Sequence, residues 1–248
     1  MLNWDWNFFT KTEFEGGPAY WELFVDAWIT TFEIAILSWL LAVIVGIFIG
    51  TFRTLPPTNM RYRALNMLGN FWVDIFRNIP ILVQLFLWLY VVPALIPSLG
   101  FLRMHQFALA VCGLGIFTST RIAEQITAGI RSIPTGKYYA ALSLGLSTRQ
   151  SYNYVLLPIA TRIIMPPMIS EAMNIVKNTA AVIVLTAVPS LMLFATNVAG
   201  NNEPDIFQIY MTVTIAYVIT SILFNFAMRL LEKRLQVPGF AAGPTGGK

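Results

Sequence analysis

Residues 34–52 read IAILSWLLAVIVGIFIGTF, and this stretch contains no charged side chain. A helix needs about 20 consecutive, mostly apolar residues to cross the hydrocarbon core of a bilayer. The stretch therefore predicts a membrane-spanning helix, which we expect to begin nearer Phe24. The composition agrees, since 56% of the 248 residues are hydrophobic and 11% are charged, against about 25% charged residues in an ordinary soluble domain.

The same composition excludes several classes of protein. Cys112 is the one cysteine of the sequence, so a secreted domain held together by disulfides is excluded. The high hydrophobicity excludes a disordered chain. A net charge of +4 is explained in a membrane protein by basic cytoplasmic loops, and no nucleic-acid partner is expected.

We predict an all-α, polytopic membrane protein with five transmembrane helices in one domain over residues 24–233. The expected spans cover about residues 24–52, 68–97, 105–131, 162–194 and 206–230. Residues 1–23 are aromatic enough for an extracytoplasmic segment at the membrane interface. Residues 234–248 are expected to form a cytoplasmic tail whose end is rich in Gly and Pro.

The basic residues predict the orientation of the chain. Eleven of the 16 Lys and Arg residues fall in the first connection, the third connection and the C-terminal tail. The opposite side carries Lys11 and Arg103, with acidic residues such as Glu203 and Asp205. Since cytoplasmic loops are enriched in Lys and Arg, the N-terminus is expected outside and the C-terminus in the cytoplasm.

Residues for catalysis or metal binding are scarce. His105 is the one histidine, so motifs that need two histidine ligands are missing, and no Ser/His/Asp set forms without it. The C-terminal GGK at 246–248 lacks the first glycine and the Ser or Thr of a phosphate-binding loop. We therefore predict that the chain is not an enzyme and holds no cofactor, although a membrane-embedded enzyme stays as a weaker alternative.

The third connection, over residues 134–158, is too long for a simple turn. Its apolar residues, which include Tyr138, Leu142 and Tyr152, are spaced as on an amphipathic surface helix. Gly145 interrupts this pattern, and Pro158 marks the approach of the next span. From the pattern alone, the segment is a helical loop that rests on the membrane or contacts a partner.

This connection resembles the EAA loop of ABC-importer permeases. Ala140 and Ala141, Gly145, and the VLLP of residues 155–158 stand at the spacing of that motif. Tyr139 replaces its glutamate. The resemblance implies a coupling helix that docks on a cytoplasmic ATPase. The residues implied to make this coupling are Tyr139, Ala140, Ala141, Gly145, Leu157 and Pro158.

The resemblance extends over most of the chain. FRNIPILVQ at 76–84, MPP at 165–167 and KNT at 177–179 look like landmarks of the polar amino-acid uptake permeases. Within that group the chain is most similar to permeases of glutamate/aspartate uptake systems. That similarity rests on NWDWN at 3–7, GIFTSTRIAEQ at 115–125 and VPG at 237–239.

The resemblance implies a function, a fold and partners. The function is the permease subunit of an ATP-driven importer for glutamate and aspartate, with another polar amino acid, or a channel, as alternatives. The fold is the type I ABC-importer (MetI-like) permease fold. The partners are a dimer of ATPase subunits that binds ATP and Mg, a second, different permease chain, and an extracytoplasmic binding protein. The location is the bacterial inner (cytoplasmic) membrane.

Charged residues within the spans are candidates for the transport path, because a charge inside a bilayer must face protein or water. Arg121 and Glu124 stand three residues apart, so they are expected to pair on one helix face. The pair is either an internal salt bridge or a cationic anchor for a substrate carboxylate, which the planar guanidinium binds with two hydrogen bonds.

Two further groups of polar residues accompany this pair. Glu171, Asn174, Lys177 and Asn178 form a polar stripe on the fourth span. This stripe is expected either to contact substrate or to line the interface with the second permease. Asp74 and Arg77 are also three residues apart, and we expect them to form a structural charge pair. The resemblance implies this role, because the family motif keeps the arginine in permeases that carry different substrates.

Overall fold

The computed structural model describes residues 6–12, 16–201 and 206–235. These residues are almost entirely helical, and the only extended pairing among them is an isolated bridge between Thr12 and Ala19. The prediction of an all-α fold is confirmed. The predicted segments 1–23 and 234–248 lie partly outside the described residues.

Eight principal helices make up the described part of the chain. They are α1 (Tyr20–Phe52), α2 (Met60–Asn78), α3 (Ile81–Leu95), α4 (Gln106–Arg131), α5 (Thr135–Ser143), α6 (Thr148–Val184), α7 (Leu191–Asn201) and α8 (Ile206–Leu235). By length and composition, α1, α4, α6 and α8 can each cross a membrane. The helices α2 and α3 together make a fifth candidate span.

The second predicted span is not one straight helix. The chain bends by 102° between α2 and α3, where a single span was expected over about 68–97. Ile79, between them, is extended, with φ −99° and ψ 121°. The cause is Pro80, whose ring disfavours the helical conformation of the preceding residue.

The fourth predicted span, 162–194, differs at both ends from the helix found in the structure. Helix α6 already begins at Thr148 and ends at Val184, while Leu191 begins the separate short helix α7. At its start, a π-helical turn over Tyr152–Leu156 precedes Pro158. Since proline has no N–H to donate, this wide turn lets the helix continue through it. At its end, the chain leaves the helical conformation at Leu185.

Helices α1 and α4 pack at close range through glycines. A Cβ atom built on Gly46 would lie 2.5 Å from Cγ2 of Ile122, and one on Gly50 would lie 2.7 Å from the carbonyl oxygen of Ala123. The hydroxyl of Thr127 also donates to the carbonyl of Gly50 at 3.3 Å. This spacing of small residues is typical of helix pairs in membranes, and it fixes α4 against α1.

Two apolar clusters extend this packing to the other helices. Ile122, Ile126 and Met168 belong to a cluster that joins α1, α4, α6 and α8. A second cluster, with Tyr20, Leu191 and Ile209, joins the start of α1 to α7 and α8. The result is a bundle in which α4 lies centrally, in contact with α1, α2 and α6.

Candidate functional site

A pocket of about 300 Å³ opens beside α4, between α2 and α6. Its walls combine charged, polar and aromatic side chains. They are Arg77, Phe117, Thr120, Arg121, Glu124, Gln125 and Glu171. The pocket thus brings together three of the residues predicted to bind substrate, namely Arg121, Glu124 and Glu171, and adds Arg77.

Arg121 pairs with a different helix from the one expected. Its Nη1 atom lies 3.4 Å from Oε2 of Glu171 on α6, so the predicted pairing of Arg121 with Glu124 is wrong. The side chain of Glu171 is 12% exposed and that of Arg121 is 45% exposed. The buried carboxylate therefore holds a guanidinium that remains accessible from the pocket.

Glu124 has its own partner on α2. Its Oε1 atom accepts a hydrogen bond from Nη1 of Arg77, so Arg77 reaches across to α4 and does not form the predicted pair with Asp74. The side chains of Arg77 and Glu124 are 59% and 32% exposed. Both charge pairs of the pocket thus join two helices, a geometry that spacing along one helix cannot reveal.

The rest of the predicted polar stripe lies outside this pocket. Asn174 and Asn178 are half-buried and Lys177 is exposed, and none of the three lines the pocket. Glu171 is the one member of the stripe that turns toward Arg121. The stripe is therefore divided between the pocket and another surface of α6.

Sequence reasoning missed Phe117, Thr120 and Gln125. The ring of Phe117 lies one turn before Arg121, with its centroid 5.8 Å from the guanidinium carbon, within range of a cation–π contact. Gln125 lies one turn after Arg121. Since residues four apart share a helix face, the position of Arg121 alone was sufficient to indicate both neighbours.

The segment over residues 134–158 forms two helices joined by a tight turn. Helix α5 ends at Ser143, Gly145 adopts the left-handed φ of +82°, and Ser147 caps the start of α6 by accepting from the amide of Gln150. Ala141 is buried, whereas Tyr139 is 64% exposed. Ala140, Gly145 and Pro158 are also exposed, and Leu157 is half-buried.

Sequence reasoning also missed two exposed apolar residues of this segment. Leu144 is 83% exposed and Tyr154 is 73% exposed. Together with Tyr139 they leave three large apolar side chains exposed on one short segment. Such a group of side chains is typical of an interaction surface.

Replacing Gly145 by alanine is expected to lower the free energy of unfolding by about 1–2 kcal/mol, because a Cβ disfavours the left-handed conformation. For a protein of this size, that loss lowers the melting temperature by roughly 2–4 °C per kcal/mol. Thermal unfolding in detergent measures it. Gly136→Ala is the matched control, because Gly136 lies in α5 with open space around it. Equal melting temperatures for the two variants contradict the prediction.

Long apolar helices of this number are typical of an integral membrane protein. Residues 42–237 match the family described as binding-protein-dependent transport system inner membrane component, and the chain belongs to this family. It is therefore a multi-pass membrane subunit of an ABC importer and not an enzyme. Importers of this family work with ATPase and substrate-binding partners.

A relative and two solved structures give the same result. The chain is 34% identical to the glutamate/aspartate import permease protein GltJ of Escherichia coli (strain K12), covering 98% of this chain and 99% of GltJ. It is 26% identical to a chain of an amino acid ABC transporter solved with histidines, with a TM-score of 0.70 and coverage of 87% and 95%.

A chain of the MetNI methionine ABC transporter has the same fold. The TM-score is 0.70 at 21% identity, over 88% of this chain and 98% of that chain. The predicted type I, MetI-like permease fold is confirmed.

Proposed function

We propose that this chain is the permease subunit of an ATP-driven importer of glutamate and aspartate in the bacterial inner membrane. Its N-terminus lies outside and its C-terminus in the cytoplasm. It works with a second, different permease chain, a dimer of ATPase subunits that binds ATP and Mg, and an extracytoplasmic binding protein. The observation that carries the choice of substrate is the pocket in which Arg121 and Arg77 are each held by a glutamate.

The charges of the pocket complement an acidic amino acid. At neutral pH such a substrate carries two carboxylates and one ammonium group. Arg121 and Arg77 offer two guanidinium groups, which bind carboxylates with paired hydrogen bonds. A carboxylate that engages Arg121 releases Glu171 to accept from the substrate ammonium. Arg77, whose guanidinium has five N–H donors, can take the second carboxylate and keep its contact with Glu124, which is 32% exposed and so stays accessible to water.

The relatives support an amino-acid substrate. GltJ, named for glutamate and aspartate, is similar over nearly the full chain. Another polar amino acid stays as the alternative substrate, because a similar chain belongs to an amino acid ABC transporter solved with histidines. The pocket suits the acidic substrate, because it offers one guanidinium group to each of the two substrate carboxylates.

Coupling to the ATPase is assigned to residues 134–158. The exposed side chains of Tyr139, Leu144 and Tyr154 supply an apolar surface that suits the groove of a partner subunit. Ala140 and Gly145, also exposed, let that partner approach closely. We assign Asn174, Lys177 and Asn178, which lie outside the pocket, to the interface with the second permease.

The complete complex in proteoliposomes is expected to accumulate labelled glutamate only when ATP and Mg are supplied to the ATPase side. Transport against a gradient requires the free energy of hydrolysis, whereas a channel would let glutamate equilibrate without it. Uptake is measured with ATP, without ATP and with a non-hydrolysable analogue. Equal uptake in all three conditions would establish the channel, and ATP-dependent uptake of histidine but not of glutamate would establish the alternative substrate.

A further inference from the structure

Helix α2 is attached to the bundle by a small apolar contact. Within α2, only Gly69 and Val73 are buried. Five large apolar side chains of this helix are exposed, namely Met60, Met67, Leu68, Phe71 and Ile75. Within this chain, α2 therefore buries fewer side chains than α1 or α4.

Polar contacts tie the first half of α2 to the end of α1. The Nε atom of Arg53 donates to Oδ1 of Asn70 at 3.0 Å, and Nδ2 of Asn66 donates to the carbonyl of Arg53 at 2.9 Å. Gly69 permits this approach, since a Cβ at that position would lie 2.8 Å from Cγ of Arg53. The turn after α1 and the first half of α2 therefore move together.

The guanidinium of Arg53 is partly buried at this contact. Its Nη1 atom is buried without a hydrogen-bond partner among the described residues. Burial lowers the pKa of Arg53 below its ordinary value, and the nearby carboxylate of Glu124 opposes this shift.

The next residue, Thr54, joins this turn to the coupling segment. The hydroxyl of Tyr152 donates to the carbonyl of Thr54 at 2.5 Å, and Tyr152 is 6% exposed. The ring of Tyr152 also packs edge-on against Tyr138 of α5 at 6.2 Å between centroids. The coupling segment and the turn after α1 are thus connected by a partly buried hydrogen bond.

The other end of α2 reaches the pocket. Arg77, in its last turn, donates to Glu124. Directly after it, the bend of 102° at Ile79 and Pro80 separates α2 from α3. Because the helix is interrupted there, α2 can change its angle without carrying α3 along.

We propose that α2 moves as a unit and transmits displacement of the coupling segment to Arg77. Tyr152, Arg53 and Asn70 are the positioning residues that connect the segment to the helix. The inference rests on the proposed ATP-driven import, in which the ATPase displaces the segment. Moving α2 shifts Arg77 relative to Glu124 and so alters the pocket.

Replacing Tyr152 by phenylalanine is expected to reduce the glutamate transported per ATP hydrolysed by about five-fold, the effect of one lost hydrogen bond. The complex should assemble and hydrolyse ATP at its normal rate, because the phenyl ring keeps the packing against Tyr138. Uptake and hydrolysis are measured in the same proteoliposomes. Tyr90→Phe is the control, since Tyr90 lies on α3 outside the coupling segment and the pocket and is 52% exposed. An unchanged ratio for Tyr152→Phe overturns the proposal.

A distance measurement separates this proposal from the choice of substrate. Spin labels at positions 75 on α2 and 44 on α1, in a Cys112→Ala background, report the separation of the two helices. We expect ATP to shift this distance in the wild type and to shift it less in Tyr152→Phe. A shift without glutamate uptake supports the motion of α2 and contradicts the glutamate proposal. Glutamate uptake with an unchanged distance contradicts the motion of α2 and leaves the glutamate proposal standing. A distance that ATP does not change under any condition likewise overturns the motion of α2.

Discussion

Replacing Arg121 by alanine is expected to lower kcat/KM for glutamate uptake by about 30- to 100-fold. The change removes the guanidinium that receives a substrate carboxylate, and it leaves Glu171, which is 12% exposed, without its partner. Truncating one member of a desolvated charge pair costs roughly 2–5 kcal/mol. The lower part of this range applies here, because Arg121 is 45% exposed. Initial rates of labelled uptake in proteoliposomes measure the loss.

Two variants test whether the effect of Arg121→Ala is specific. Arg121→Lys keeps the charge but loses the planar fork, so it should retain intermediate uptake. Arg162→Ala removes an exposed positive charge from α6 outside the pocket and should leave uptake within about two-fold of wild type. If Arg121→Ala assembles with its partners and transports glutamate at the wild-type rate, Arg121 is not the anchor and is a structural residue.

Replacing Gly50 by leucine is expected to prevent accumulation of folded protein in the membrane. A Cβ at this position would lie 2.6 Å from Cβ of Ile126 and 2.7 Å from the backbone oxygen of Ala123. Backbone atoms cannot move aside as a side chain can, so α1 and α4 must separate. The smaller change Gly50→Ala is expected to lower the free energy of unfolding by about 2 kcal/mol, within the range for overpacked cores.

Membrane yield and thermal unfolding in detergent measure both Gly50 variants. Gly200→Ala is the matched control, because Gly200 also lies in a helix but a Cβ added there would meet no atom within 4 Å. Its yield and melting temperature should stay close to those of the wild type. Wild-type yield and stability for Gly50→Leu contradict the close packing of α1 and α4 described above.

The partners of the charged residues in the pocket could not be predicted from the sequence. Spacing of three residues makes Arg121–Glu124 a reasonable pair on an isolated helix. In the bundle, Glu171 of α6 approaches Arg121 from the side, and Arg77 of α2 approaches Glu124. Pairing between helices depends on how the helices are rotated against one another, which a one-dimensional pattern does not contain. The pocket therefore contains the predicted charges with different partners.

The effect of each proline on its helix is a second feature that the sequence alone does not predict. Pro80 indicates a disturbance in the second span, and the structure has a bend of 102° there. Pro158, Pro166 and Pro167 lie within α6, which continues through all three. A proline removes one hydrogen-bond donor in every case. Whether the chain bends or continues depends on the local turn and on the helices packed around it.

By itself, the sequence determined the class of protein. Uncharged apolar runs such as residues 34–52 can be stable only in a bilayer, and a backbone in lipid must bond to itself as a helix. The motifs within residues 140–158 and 76–84 carried the resemblance to the family, and the match over residues 42–237 established membership. The tertiary structure alone decided that Arg77 lies in the pocket, that Glu171 holds Arg121, and that α2 is joined through Thr54 to Tyr152. These are contacts between separate helices, and they depend on how the helices pack against one another, which the one-dimensional sequence does not state.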